Sequence, residues 1–188
     1  QRLNVNAYDT VLITGMGPVG LGGVVNAVCR GAKVIAVEPH PYRRQLALDL
    51  GAIAAIDPND PTAMQQILSL TGGKGVDKAV ECAGTPEAQR FMINAVRRRG
   101  QVAFVAEAGE FTVHVSNDLL RKGLMVHGIW HWNLADAPRM MQTIRAMGHL
   151  LDKMITHRFP LSRVQDAWEL QLTGNCGKVL LYPWGDPA

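Results

Sequence analysis

The stretch "VLITGMGPVGLGG", residues 11–23, sets five glycines among thirteen positions directly behind an apolar run. Ordered glycine costs backbone entropy, so a cluster this dense needs a reason. Gly15, Gly17 and Gly20 fit the spacing G-x-G-x-x-G. They fall between a predicted strand over 11–14 and a predicted helix over 18–30. Pro18 stands in the helix's first turn, where its missing N–H is harmless. In such a turn the first glycine permits the tight bend and the second lets a pyrophosphate lie on bare main chain. The third lets the helix pack close to the strand. Free N–H groups and the positive dipole end at the helix start favour an anion by about 0.3–2 kcal/mol.

The spacing alone is weak evidence, and its surroundings strengthen it. A second apolar run, "KVIAVE", ends in Glu38, eighteen residues past Gly20. A carboxylate at that strand end can accept the ribose hydroxyls of an adenosine. It also disfavours a 2′-phosphate, because unit charges about 4 Å apart repel by roughly 4 kcal/mol at an effective dielectric of 20. Arg43 and Arg44 offset part of that repulsion. NAD is therefore expected over NADP. "ECAGT" at 81–85 closes a later strand. Its small residues either let the adenine or ribose edge lie close or simply make a tight turn. Cys82 has no base placed beside it and reads as an inert thiol.

Outward from the glycine turn, short apolar strands alternate with helical segments. Strands are expected over 11–14, 33–38, 54–56, 78–82, 101–106 and 124–130. Helices are expected over 18–30, 41–50, 61–70, 86–96, 116–121 and 136–151. The strands are near-continuous apolar runs, as in a parallel sheet covered on both faces. The fold class is α/β: a Rossmann-type, doubly wound, six-stranded parallel sheet in the order 3-2-1-4-5-6. The tail from residue 153 adds an extended piece, a helix with Val164, Ala167, Trp168 and Leu172 on one face, and a strand "KVLLYP" that has no place in a finished sheet.

The 188 residues suffice for one domain and a short appendage. A net charge of +3 spread along the chain gives no nucleic-acid patch. The run Arg97-Arg98-Arg99 is expected to be a solvated helix end. Three scattered cysteines make neither a disulfide framework nor a zinc site. His127 and His131 would stand about 13 Å apart along a strand, too far to share a metal. With no apolar run of about 20 residues, no membrane span is expected, and a cytoplasmic setting follows as the expectation. A chain that starts at Gln1 and soon enters a strand hints at a piece of something longer.

Together these features resemble the medium-chain zinc-dependent alcohol and polyol dehydrogenases. "YDTVLITGMGPVGLGG", "GAIAAID", "GVDKAVECAG", "RRGQVAFVA" and "THRFPLSRVQDAWEL…GKVLLYP" follow that family's order over essentially the whole chain. "DLLRKGLMVHGIWHW" is most similar to the sorbitol and threonine dehydrogenase branch. The resemblance implies hydride transfer between a hydroxyl-bearing substrate, an alcohol or polyol, and NAD, assisted by zinc. It implies that Gly15, Gly17, Pro18, Val19 and Gly20 hold the pyrophosphate, Glu38 the ribose, and that Arg43 lies over the adenine. Cys82, Ala83 and Gly84 would line the adenine and ribose path. Val105, Ala106, Gly128 and Ile129 would flank the nicotinamide, and Lys178 would stand near the pyrophosphate. Family zinc ligands and proton relay precede the cofactor domain, in a region this sequence does not contain.

The expected organisation is then a cofactor domain over 1–152 and, over 153–188, a segment that returns to a catalytic domain. Within it, "HRFPL" (157–161) is expected to be disordered or docked on a neighbour. Neither a catalytic residue nor a metal ligand is assigned. The predicted sixth strand is apolar and at the sheet edge, where such strands tend to be paired or covered, and the resemblance implies that it pairs across a dimer axis, a homodimer through 124–132. A non-catalytic dinucleotide-binding or sensing module remains open, since fold does not fix function. A methyltransferase using S-adenosylmethionine also wants glycines and an acid, but gives "ECAG" and "GKVLLYP" no role.

Overall fold

A computed structural model describes residues 2–185. Six strands, β1 (Thr10–Thr14), β2 (Lys33–Val37), β3 (Ala54–Ile56), β4 (Val76–Glu81), β5 (Val96–Phe104) and β6 (Met125–Gly128), form one parallel sheet. Their order is β3-β2-β1-β4-β5-β6, as expected from the sequence. Helices α1 (Pro18–Cys29), α2 (Pro41–Asp49), α3 (Ala63–Leu70) and α4 (Pro86–Ala95) make the crossovers. A single π-type turn at Val115–Leu120 leads from β5 to β6, and α5 (Ala137–Met154) follows the sheet.

Strand alternation explains the unbroken apolar runs. Val11 and Ile13 face one core with Val34, Ala36 and residues of α1, while Leu12 faces the other with Ile35, Val37 and residues of α4. Successive side chains point to opposite faces, and both faces are covered. The edge strand β6 is different: Met125 and Val126 are about half exposed.

The three arginines do not end a helix. α4 stops at Ala95, and Arg97, Arg98 and Arg99 lie in an irregular start of β5, where the register to β4 shifts between Val76 and Lys78. Arg97 Nε donates to Asp77 Oδ1 at 2.6 Å, and Arg99 takes a positive φ of 59°. The cation that caps α4 comes from far along the chain: Lys122 Nζ donates to the carbonyls of Ile93, Asn94 and Val96. His131 also departs from expectation. The strand ends at Gly128, and His131 sits in a left-handed turn with its ring edge-on to Trp130.

The tail forms a unit of its own. β7 (Ile155–Pro160) and β8 (Lys178–Tyr182) pair in parallel, joined by α6 (Val164–Thr173). The expectation of a disordered or neighbour-docked segment fails, because this unit packs on the same chain. Arg43 Nε donates to the Cys176 carbonyl at 3.1 Å, and a Cβ on Gly174 would lie 2.7 Å from the His40 ring. Of the apolar face expected on α6, only Ala167 is buried, and Val164, Trp168 and Leu172 are exposed.

Candidate dinucleotide site

The carboxyl ends of the strands stop level with one another. Val37, Thr14, Glu81, Phe104 and Gly128 are register partners across β2, β1, β4, β5 and β6. The next residue in each chain segment is Glu38, Gly15, Cys82, Val105 or Ile129, so five positions singled out from sequence line one edge. Four strand spacings separate the first from the last, about 19 Å. An open parallel sheet binds its ligands in the crevice at this edge, beside the strand where the order reverses, which here is β1.

The three glycines answer to three different constraints. Gly15 has φ +83°, and a Cβ there would lie 2.7 Å from the Ala83 nitrogen. A Cβ on Gly20 would lie 1.8 Å from the Gly15 carbonyl oxygen. Gly17 has an ordinary φ of −70°, and a Cβ on it would meet nothing within 4 Å. Its absent side chain therefore keeps open the space in front of α1, whose N-cap is Gly17 itself with no side-chain cap. The first amides of that helix have no intrahelical acceptor, which suits a phosphate. The crevice thus fits the pyrophosphate of a dinucleotide.

A cleft of about 600 Å³ runs from this point, lined by Gly15, Gly17, Glu38, Arg43, Cys82 and Ala83 among others. Glu38 is 3% exposed; Oε2 accepts from Met16 N at 2.6 Å and Oε1 from His40 N at 3.0 Å. A carboxylate has about four acceptor positions, so it can hold the glycine loop and still receive ribose hydroxyls. Arg43 lines the cleft while its Nε is held by the tail. Arg44 turns away to the carbonyls of Glu38 and Pro39 and to Asp57, 3.1 Å distant. It is thus engaged rather than poised for a 2′-phosphate. Burial, with the Glu81 charge adding to it, pushes the Cys82 thiol up to about 12. That is the wrong direction for a nucleophile.

The remaining positions are divided. Pro18, Val19 and Lys178 line a neighbouring groove of about 630 Å³ between α1, α5 and β8. Lys178 is thus brought beside the helix start. Gly84, with φ +75°, packs against the Glu107 carbonyl. Val105 N and Ala106 N both donate to the Glu81 carbonyl, at 3.1 and 3.2 Å. Gly128 closes β6 and offers open space where a Cβ would stand. Ile129 donates its N–H to the Phe104 carbonyl and lines a separate recess with Leu3, Val5 and Ala103. Glu81 escaped the sequence reading. Its signal was an acid at a strand end followed by small residues able to turn their amides back onto it.

Among the described residues no three of His, Cys, Asp or Glu cluster as metal ligands, so the zinc implied by the resemblance finds no fit there and no step is assigned to it. No helix among them is long and apolar enough to cross a membrane.

A parallel sheet with this crevice defines a dinucleotide-binding fold of the dehydrogenase kind. The family model described as zinc-binding dehydrogenase matches residues 18–146, and the chain belongs to that family. It is 34% identical over 178 residues to the L-threonine 3-dehydrogenase of Bacillus licheniformis, covering 92% of this chain and 51% of that protein. The L-threonine 3-dehydrogenase of Pyrococcus horikoshii is 34% identical over 189 residues, with 93% and 54% covered. An alcohol dehydrogenase structure from Thermotoga maritima superimposes with TM-score 0.85 at 31% identity, over 93% of this chain and 50% of that one. The 2R,3R-butanediol dehydrogenase of Bacillus subtilis gives TM-score 0.85 at 27% identity, covering 96% and 52%. The chain spans about half the length of the curated relatives it matches.

Proposed function

We propose that this chain is the NAD-binding part of an alcohol or polyol dehydrogenase. Residues 1–152 form the cofactor unit, and residues 153–188 belong with the catalytic region of the parent enzyme. The observation that carries the reading is Gly17, a glycine with no backbone need to be one, whose missing side chain opens the crevice at an uncapped helix start. Gly15, Gly17, Pro18, Val19 and Gly20 hold the pyrophosphate, with Lys178 contributing charge from β8. Glu38 takes the adenosine ribose, Arg43 covers the adenine, and Cys82, Ala83 and Gly84 form the wall beside them. The carbonyls of Val105 and Ala106, with Gly128 and Ile129 beyond, orient the nicotinamide. When bound, NAD supplies the acceptor for a hydride from the hydroxyl-bearing carbon. The chain's own residues position that acceptor and shield it from water.

NAD is preferred to NADP because Glu38 faces the ribose while Arg44 is held by Asp57. A cytoplasmic location accords with three free cysteines. Isothermal titration with NADH, NADPH and S-adenosylmethionine tests the reading. NADH binding at least tenfold tighter than NADPH supports it. Absence of heat with either dinucleotide at millimolar concentration, or a preference for S-adenosylmethionine, defeats it.

The exposed edge strand β6 and the residues after it, Trp130 (73% exposed) and Trp132 (59%), form the surface through which two copies pair. An open, apolar sheet edge is otherwise a liability. The proposed homodimer runs through residues 124–132.

A further inference from the structure

We infer that Glu81 is a positioning residue for the dinucleotide site, holding the adenosine wall and the nicotinamide wall of the crevice in one register. The inference rests on the reading of the crevice given above. Glu81 is the last residue of β4 and is fully buried. Its Oε1 accepts from Ala83 N and from Gly84 N, both at 2.7 Å. Its main-chain carbonyl accepts from Val105 N and Ala106 N. Four amides from two loops therefore converge on one residue.

The first pair reaches the glycine loop directly. The Ala83 backbone, fixed by the carboxyl group, is the surface that Gly15 packs against, close enough that a Cβ on Gly15 would lie 2.7 Å from Ala83 N. The second pair sets the turn that leaves β5. Local stability alone explains this residue poorly. Glu81 Oε2 has no hydrogen-bond partner among the described residues, and Thr14 Oγ1, directly across the β1–β4 register, has none either. A buried polar atom left unpaired is destabilising, a cost that an apolar residue at this position would avoid. What an apolar residue lacks is an acceptor able to reach back over two residues and gather both amides.

Reach and acceptor, rather than charge, are the requirements. Glutamine has both. Aspartate keeps the charge but is one methylene short. In the full chain, Glu81→Gln is expected to bind NADH within threefold of wild type. Glu81→Asp is expected to weaken NADH at least tenfold, read by fluorescence titration well below the melting temperature. Glu81→Asp binding like wild type, or Glu81→Gln falling as far as Glu81→Asp, overturns the inference.

The wild-type chain gives a second test that needs no variant. ADP-ribose carries no nicotinamide, yet through Glu81 it should slow amide exchange at Val105 and Ala106 as well as at Ala83 and Gly84, by at least fivefold. Protection confined to Ala83 and Gly84 overturns the inference and leaves the crevice reading standing. Wild-type chain that binds no NADH overturns both.

Discussion

Gly15 and Gly17 stand two residues apart and should fail in different ways when given side chains. Alanine at Gly15 inherits a φ of +83° and a contact of 2.7 Å with the Ala83 backbone. Strain of this kind costs about 1–3 kcal/mol before any clash is counted, so Gly15→Ala should lower the melting temperature. Valine at Gly17 meets no protein atom near its Cβ at an ordinary φ. Gly17→Val gives up only glycine's advantage as N-cap, about 1 kcal/mol, so it should lower the melting temperature less than Gly15→Ala while weakening NADH more than tenfold, about 1.4 kcal/mol. Calorimetric melting and NADH titration on both variants separate the two effects. The sequence spacing named both glycines and the tight turn at Gly15. It was silent on the Glu38 bonds to Met16 and His40, because a side chain's partners depend on which loops the sheet brings together.

β1, β4 and β5 are tied at their amino ends by one carboxylate. Asp77 Oδ2 accepts from Thr10 N at 2.7 Å, and Oδ1 accepts from Arg97 Nε at 2.6 Å. Burial alone would raise the Asp77 carboxyl, but the Thr10 amide and the Arg97 guanidinium outweigh it and hold the group below its ordinary value. A folded-state value below the unfolded one contributes stability above the ordinary carboxylate range. That stability is lost as pH falls through the folded-state value. Asp77→Asn should therefore cost about 1–2 kcal/mol at neutral pH. The gap from wild type should close as pH falls below the ordinary carboxylate range and through the lowered folded-state value of Asp77. Thermal melts across that range check the sign. The same region shows where element-level reading failed. A run of three arginines looks like a helix end by composition. Whether it caps α4 depends on what else arrives there, and Lys122 does, from the far side of the π-type turn.

Two sheets, six strands in one and two in the other, lie among the described residues. Arg43 joins them, with one face in the cleft and its Nε on the Cys176 carbonyl. The sheet edge left uncovered is β6, where Met125 is 53% and Val126 48% exposed. Analytical ultracentrifugation of the wild-type chain should find a dimer. Val126→Glu should give a monomer with unchanged NADH affinity, because Val126 lies within the strand and away from its carboxyl end. A wild-type monomer at high micromolar concentration removes the dimer proposal.

The sequence by itself determined the parallel sheet, its strand order, and the glycine turn between β1 and α1. Those follow from local rules: apolar runs that must be covered twice, crossovers of one hand, and glycines at fixed spacing. The tertiary structure alone decided that the tail docks on α2 through Arg43, that Lys122 closes α4, and that Glu81 gathers four amides from two loops. Each joins partners made neighbours by the packing of separate elements, and hydrogen-bond donors and acceptors carry no address in the sequence until that packing supplies one.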